Sequence, residues 1–234
     1  DSWKGRELFL RMEKVASASF VWINGKELGY NEGGQEPAEY NITAYVNTGI
    51  NTISVAVFKY SDGYYLENQD YWRLAGIFDD VRIIAAPSLH IADWHAVTDL
   101  DENYRNSDLT ISLKIRNYSG KTRKGVSLRA SLYDSNTRIV KKITADPSMV
   151  RGNSATEINL KALIEDPGKW SAEKPDLYTL VFELLDESGR SGELISGRLG
   201  FKETEIKDQV FLLNGKPVNL NGTDSHMQHP ITGH

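Results

Sequence analysis

Residues Ser61–Phe78 carry the side chains best suited to chemistry, in the order SDGYYLENQDYWRLAGIF. We call this stretch the site segment. It mixes carboxylates, amides, aromatic rings and an arginine in a pattern too irregular for a simple strand. Burying so many polar groups is costly, and exposing so much aromatic surface is wasteful. Such a mixture usually builds or braces a binding site, so the site segment is the candidate functional region.

Simpler interpretations of the same residues must be weighed. Ser-Asp-Gly is a common loop tripeptide in which the Asp caps its own backbone, and taken alone it favours a turn role for Asp62. The tyrosines Tyr60, Tyr64, Tyr65 and Tyr71 could stack on sugar rings or pack in a core or an interface. For the tyrosines, we favour packing.

Adjacent acids near the end of the site segment do not form a catalytic pair. Two carboxyl groups of a retaining glycosidase lie about 5–5.5 Å apart across the scissile bond. Asp79 and Asp80 would point to opposite faces of a strand, and we expect them at a solvated strand beginning.

Three histidines, His226, His229 and His234, have spacings that can ligate zinc. Zinc needs a fourth ligand on a rigid support, and the chain has no Cys, so we predict no zinc site there.

Strict alternation of apolar and polar residues dominates the chain and predicts half-buried strands. It is clearest over 109–116 and 126–133, and it recurs over 8–12, 20–23, 53–57 and 178–184. Asn24-Gly25 and Asn214-Gly215 predict hairpin turns, because both residue types tolerate positive φ. Only Asn41–Val46 and Leu160–Glu165 are predicted as single helical turns. We therefore predict an all-β fold of antiparallel sandwiches.

Composition divides the chain and limits its partners. The aromatic, Gly-rich character stops near Ala86-Pro87-Ser88, and about seven strands between Leu89 and Lys202 match an immunoglobulin-like sandwich.

Net charge is −5 with no basic stripe, so nucleic acid is not an expected partner. No apolar run approaches the ~20 residues of a membrane helix. Both chain ends are abrupt, from which we expect a fragment of a longer protein; the compartment is left open.

Several stretches in the same order resemble large bacterial β-galactosidases of glycoside hydrolase family 2. Besides the site segment they are Phe20–Tyr30 (FVWINGKELGY), Pro37–Thr43 (PAEYNIT), Gly76–Val81 (GIFDDV), Pro167–Tyr178 (PGKWSAEKPDLY) and Phe211–Gly222 (FLLNGKPVNLNG). Asp79 stands where the family usually has Arg. The resemblance implies a galactose-binding-like, partial jelly-roll sandwich over 1–87 and an immunoglobulin-like sandwich over 88–203. It also implies the start of a catalytic (β/α)8 barrel over 204–234.

The resemblance also implies roles for individual residues. Asp62 would bind a sodium ion and the galactose primary hydroxyl, and His226 would contact sugar hydroxyls. The residues around His226 read Asp-Ser-His-Met where the family has Asn-Arg-His-Glu, a departure that bears on substrate preference. Neighbours that would orient the site segment are Tyr64, Glu67, Asn68, Asp70 and Arg73. The magnesium ligands and both catalytic Glu residues would come from barrel segments beyond His234, so no catalytic residue is assigned here.

The expected function is a non-catalytic part of a β-galactosidase that hydrolyses terminal β-D-galactosides, such as lactose, with retention. The missing barrel would be its partner within the same protein, which we expect to be a homo-oligomer. The chain by itself is predicted to be inactive and to bind no ion. Two alternatives remain: a stand-alone carbohydrate-binding module, or part of a related β-glucuronidase or β-mannosidase.

Overall fold

The computed structural model describes residues 3–67, 75–146 and 149–224. Within these ranges the regular structure consists of strands and one helix of five residues, which confirms the predicted all-β class. No helix in the described residues has the length and apolarity needed to cross a membrane. The described chain divides into two compact units, one that comprises the residues up to Ala86 together with 222–224, and one from Pro87 to Asn221.

The described residues of the first unit form eight strands and the helix α1. In chain order they are β1 (Arg6–Met12), β2 (Val15–Ala16), β3 (Ala18–Ile23), β4 (Lys26–Asn31), β5 (Ala38–Asn41), β6 (Ile53–Phe58), α1 (Asp62–Leu66), β7 (Gly76–Ile77) and β8 (Val81–Pro87).

Two three-stranded sheets, ordered β5-β1-β8 and β4-β3-β6, form the body of this unit, and β2 pairs with β7 in a small third sheet. The buried core draws Leu10 and Met12 from β1 and Val21 and Ile23 from β3, so it lies between the two larger sheets. The hairpin predicted at Asn24-Gly25 joins β3 to β4. Both turn residues have positive φ, 52° and 78°, as this tight connection requires.

In the second unit, the part of the chain that the structure describes forms twelve strands. They are β9 (Leu89–Leu100), β10 (Ser107–Asn117), β11 (Arg123–Lys124), β12 (Ser127–Tyr133), β13 (Ile139–Ala145), β14 (Met149–Val150), β15 (Ser154–Ile164), β16 (Tyr178–Leu185), β17 (Ser191–Leu199), β18 (Thr204–Lys207), β19 (Val210–Leu213) and β20 (Lys216–Pro217).

Seven long strands of this unit form two antiparallel sheets, β15-β10-β9 and β13-β12-β16-β17. The split into three and four strands is that of an immunoglobulin-like sandwich. Strand β10 alternates buried and exposed residues along its length, as the sequence predicts. Alternate side chains from both sheets, among them Ile111, Leu128 and Phe182, meet in one core.

A three-stranded sheet, β18-β19-β20, follows the sandwich within the same unit. The predicted turn at Asn214-Gly215 joins β19 to β20, again with positive φ at both residues. Asn214 fastens this turn to the sandwich: its Oδ1 accepts the Glu203 N–H at 2.9 Å, and its Nδ2 donates to the Trp170 carbonyl at 3.1 Å. That these strands begin a barrel stays a prediction.

Of the two predicted helical turns, the one at Leu160–Glu165 is wrong, and the one at Asn41–Val46 is a single hydrogen-bonded turn and not a helix. Residues 160–164 are the end of β15, which pairs with β10 along its whole length. The central strand β10 offers its backbone hydrogen-bonding groups on this side, and pairing with them satisfies the backbone better than an isolated turn of helix. At Asn41–Val46, β5 ends at Asn41 and a single turn follows, closed by a hydrogen bond from the Tyr45 N–H to the Ile42 carbonyl.

Candidate functional site

Asp62 begins the helix α1, directly after Ser61. Ser61 is extended (φ −152°, ψ 176°), and its hydroxyl accepts the Tyr64 N–H at 3.3 Å. This serine supplies the helix cap that the turn interpretation had given to Asp62. The Asp62 side chain is exposed, in the first turn of the helix, where a negative charge is favourable.

Glu32, just beyond the end of β4, holds this helix from the side. One of its carboxylate oxygens, Oε1, accepts the Gly63 N–H at 3.0 Å. The other, Oε2, accepts the hydroxyl of Tyr30 at 2.7 Å. The Gly63 N–H and then the Tyr30 hydroxyl lower the pKa of Glu32, since both bonds favour the ionised carboxylate. The same carboxylate raises the pKa of Tyr30.

Tyr30 in turn belongs to an aromatic face on the sheet β4-β3-β6. Its ring centroid lies 4.8 Å from that of Phe20, directly opposite it across the β3–β4 pair. Phe20 also contacts Trp22 and Phe58, each at 5.9 Å between centroids. Tyr30 is therefore held by the sheet at one end of its ring and bonded to Glu32 at the other.

Aromatic side chains of α1 divide into buried and exposed ones. Tyr64 is 8% exposed and meets Tyr60 and Tyr65 edge-on, at centroid distances of 4.9 and 5.2 Å. Packing, the predicted role, is confirmed for Tyr64. Tyr60 and Tyr65 are exposed, at 58% and 65%. Lys59 Nζ lies 5.5 Å from the centre of the Tyr60 ring.

Several predicted residues lie outside the described residues: Asn68, Asp70, Tyr71, Arg73 and His226. The sugar-binding roles of Asp62 and His226 therefore stay two separate predictions. Glu67 is described, and it ends α1 with its N–H donating to the Gly63 carbonyl at 2.9 Å.

Asp79 and Asp80 are exposed and immediately precede β8, as expected of a solvated strand beginning. The Asp80 carboxylate accepts a hydrogen bond from Arg82 Nη2 at 2.5 Å. Asp80 is thus paired on the surface with an arginine of β8, and Asp79 Oδ1 accepts the Asp80 N–H at 2.7 Å.

The described residues contain no group of three or more His, Asp or Glu side chains close enough to hold a metal ion. Asp62 brings one exposed carboxylate, which is a suitable oxygen donor for a hard cation. Such a cation takes several oxygen ligands, so Asp62 could supply one ligand of a sodium site, with the others coming from elsewhere. Nothing among the described residues suggests a magnesium site.

Sequence reasoning missed Glu32. It is 31 positions from Gly63, and its role depends on a tertiary contact that no local pattern reveals. A weak signal was present: an acid two residues after the Gly29-Tyr30 pair, at the end of a hairpin strand, is well placed to accept backbone N–H groups of a neighbouring segment.

Comparison with known protein families agrees with this architecture. The family description "Glycosyl hydrolases family 2, sugar binding domain" matches residues 1–87, and "Glycosyl hydrolases family 2" matches residues 89–202. The chain belongs to glycosyl hydrolase family 2. The resemblance inferred from the motifs is thereby confirmed.

Individual relatives of this family 2 chain carry the name beta-galactosidase. The chain is 38% identical over 231 residues to one from Priestia megaterium, covering 99% of this chain and 22% of the relative. It is 34% identical over 226 residues to one from Halalkalibacterium halodurans, covering 97% of this chain and 21% of the relative. The chain thus spans about a fifth of the length of these relatives.

A crystal structure of a beta-glucuronidase from Bacteroides uniformis has the same fold. It matches with a TM-score of 0.91 at 21% identity, covering 100% of this chain and 29% of that chain. At this identity the likeness shows the fold alone.

Proposed function

We propose that this chain is the sugar-binding part of an enzyme that hydrolyses terminal β-D-galactosides with retention. The observation that carries the proposal is the 38% identity, over 99% of the chain, to a protein named beta-galactosidase. The beta-glucuronidase of similar fold is less related in sequence, so it does not favour a glucuronide substrate. Two Glu residues elsewhere in the enzyme would act as acid/base and nucleophile, and this chain by itself would be inactive.

The proposed contribution of this chain is to position the sugar. Asp62 would accept a hydrogen bond from the galactose primary hydroxyl and supply one oxygen ligand to a sodium ion. Its exposure and its place at the start of a capped helix support that role. His226 would contact other sugar hydroxyls. Holding the sugar in a productive orientation lowers the entropic cost of reaching the transition state.

The test of Asp62 is the substitution Asp62→Asn in the enzyme that carries this chain. Asn keeps the size and removes the charge. A hydrogen bond to a charged group contributes about 1.5–3 kcal/mol, so kcat/KM for a nitrophenyl galactoside should fall about 10- to 100-fold. The sodium concentration for half-maximal activity should rise as well. Asp79→Asn, an equally exposed acid of the same unit, should change neither quantity.

Unchanged turnover and sodium dependence in Asp62→Asn would contradict this role. A panel of nitrophenyl galactoside, glucuronide and mannoside identifies the sugar: the galactoside should be cleaved with the highest kcat/KM. A higher value for the glucuronide or the mannoside would contradict the proposed substrate.

The competing proposal is a carbohydrate-binding module that works without catalysis. The exposed rings of Tyr60 and Tyr65 favour it, because aromatic rings in solvent can stack on sugars. Calorimetric titration of galactose and lactose into this chain separates the two. Saturable binding would support the module, whereas a part of an active site should bind neither sugar measurably.

A further inference from the structure

Glu32 connects a rigid sheet to the helix that carries Asp62, and we infer that it is a positioning residue for that aspartate. The inference rests on the proposed function, because it assumes that Asp62 touches the sugar and the sodium ion. It adds the residues that set the position of Asp62. The structure shows them as a series of contacts: Phe20 to Tyr30, Tyr30 to Glu32, and Glu32 to Gly63.

The helix α1 needs such support. It has five residues, and an isolated helix of that length does not persist in water. Its own cap, the Ser61 hydroxyl, accepts a backbone N–H of the same turn. Attachment comes from the packing of Tyr64 and from the bond between Glu32 and Gly63.

The position of the Glu32 bond matters. It is made to the N–H of the residue that immediately follows Asp62, so it fixes the peptide joining the two. The direction of the Asp62 side chain depends on that peptide. A shift of about 1 Å in a positioning group is enough to cost much of its effect on catalysis. Glu32 can therefore influence Asp62 without touching the sugar.

Tyr30 gives the arrangement its rigidity. Glu32 lies after the end of β4, where a glutamate has several rotamers available. The Tyr30 hydroxyl engages Oε2 and leaves Oε1 directed at Gly63. Because the Tyr30 ring lies against Phe20 on the sheet, the position of the Glu32 carboxylate is set by a strand and not by another loop. Sites supported by strands are more precise than sites supported by loops.

The experiment uses the enzyme that carries this chain and compares Glu32→Ala, Glu32→Gln and Tyr30→Phe. The first readout is hydrogen exchange at the Gly63 amide, which does not depend on activity. Glu32→Ala leaves that amide without its acceptor, and its exchange should accelerate about tenfold or more. Gln retains an oxygen acceptor of the same length, so Glu32→Gln should exchange nearly as slowly as the parent enzyme. Tyr30→Phe, which creates no cavity, should fall between them.

The second readout separates positioning from a general loss of stability. In Glu32→Ala, the sodium concentration for half-maximal activity and the KM for a nitrophenyl galactoside should each rise several-fold, with the thermal midpoint little changed. Glu27→Ala is the matched control, since Glu27 is an exposed acid on β4, the strand that leads to Glu32. It should leave exchange, sodium dependence and KM unchanged.

The outcomes divide clearly. Unchanged Gly63 exchange and sodium dependence in both Glu32→Ala and Tyr30→Phe would overturn the inference, even if Asp62→Asn is impaired and the proposed function stands. If Glu32→Gln is as impaired as Glu32→Ala, the charge and not the hydrogen bond is responsible, which also overturns positioning. If Asp62→Asn is fully active, the proposed function fails and this inference fails with it. Rapid Gly63 exchange with raised KM in Glu32→Ala, restored by Gln, supports it.

Discussion

The sandwich of the second unit and the helix α1 of the first are held in place by different means. The sandwich buries a continuous core in which many side chains are fully covered, and its long strands pair over six to eleven residues with each neighbour. The helix has one well-buried side chain, Tyr64; the Ser61 hydroxyl caps it, and Glu32 bonds it to the chain just after β4. Among the residues that the structure describes, the first arrangement is the more redundant of the two.

This difference bears on what each region can do. In the sandwich, each side chain is supported by many others, so the position of any one is determined by the whole core. At α1, the orientation of Asp62 depends on a small number of identifiable contacts. Exposed polar groups have to reach a ligand, and they cannot be held by burial. Substitutions in the two regions should therefore differ in kind: loss of global stability in one, loss of local order in the other.

The largest effect should come from the sandwich core. Leu160→Ala in β15 removes a side chain that is 3% exposed, and we expect a loss of about 2–5 kcal/mol in the free energy of unfolding. Leu163→Ala is the matched control, since the same side chain on the same strand is 51% exposed there. Its cost should stay within about 0.5 kcal/mol. Urea unfolding followed by circular dichroism measures both, and equal losses would show that burial does not control stability here.

A somewhat smaller effect should follow from adding one methyl group to β17. A Cβ at Gly197 would overlap the indole of Trp94, which packs against Phe182 at 5.2 Å between centroids. Gly197→Ala should therefore displace that indole and cost about 1–3 kcal/mol. Gly192→Ala on the same strand meets only the Leu184 carbonyl oxygen, at 3.7 Å, and serves as the control. The urea midpoint and the tryptophan fluorescence should both change in Gly197→Ala, and neither should change in Gly192→Ala.

Sequence patterns predicted the sandwich well because its strands obey a simple rule. Buried and exposed residues alternate in β10 as the residue types do. The rule failed at residues 160–165, where Ala162, Leu163 and Ile164 form an apolar run. The structure resolves that run: Leu163 points to solvent while Ile164 is buried, so the alternation continues in β15. An exposed leucine is ordinary on a protein surface, but it hides the period from sequence reasoning.

The site segment was predictable as a region and not as a structure. Its composition marked it, and the resemblance singled out Asp62. The helix α1 was not predicted, because five residues with two tyrosines have no helical preference of their own. Its existence depends on Ser61 within the segment and on Glu32, far away in the chain. Contacts of this kind are invisible to any local pattern, which is why Glu32 was missed.

A local effect is expected when the cap of α1 is removed. Ser61→Ala deletes the hydroxyl that accepts the Tyr64 N–H, and the loss of such a cap costs about 1 kcal/mol. Because α1 contributes little to the core, that cost should appear as faster hydrogen exchange at Tyr64, with the urea midpoint unchanged. Ser54→Ala, at an exposed serine of β6, is the control. A shift of the urea midpoint as large as that of Leu160→Ala would refute the distinction between the two regions.

The smallest effect concerns Glu193, the counterpart of Glu32 in the sandwich. Both acids accept a backbone N–H, Glu193 from Ile91 at 2.6 Å, yet their pKa values move in opposite directions. Burial raises the pKa of Glu193, against the lowering effect of the Ile91 N–H and of His90 nearby. A raised pKa means that the protonated form is favoured on folding. Its stabilising contribution is complete below the ordinary glutamate pKa and is lost as pH rises through the higher folded value.

Glu193→Gln removes this titration while keeping an oxygen for Ile91. As the pH rises from the ordinary glutamate pKa to neutral, the free energy of unfolding should fall less in the variant than in the parent. At pH 7 the variant should be slightly more stable than the parent. Urea unfolding at a series of pH values measures the difference. Glu157→Gln, at an exposed glutamate of β15, should follow the parent at every pH. Parallel profiles of stability against pH for Glu193→Gln and the parent would contradict the raised pKa of Glu193. The hydrogen bond from Ile91 would then outweigh burial, and the contrast between Glu193 and Glu32 would not hold.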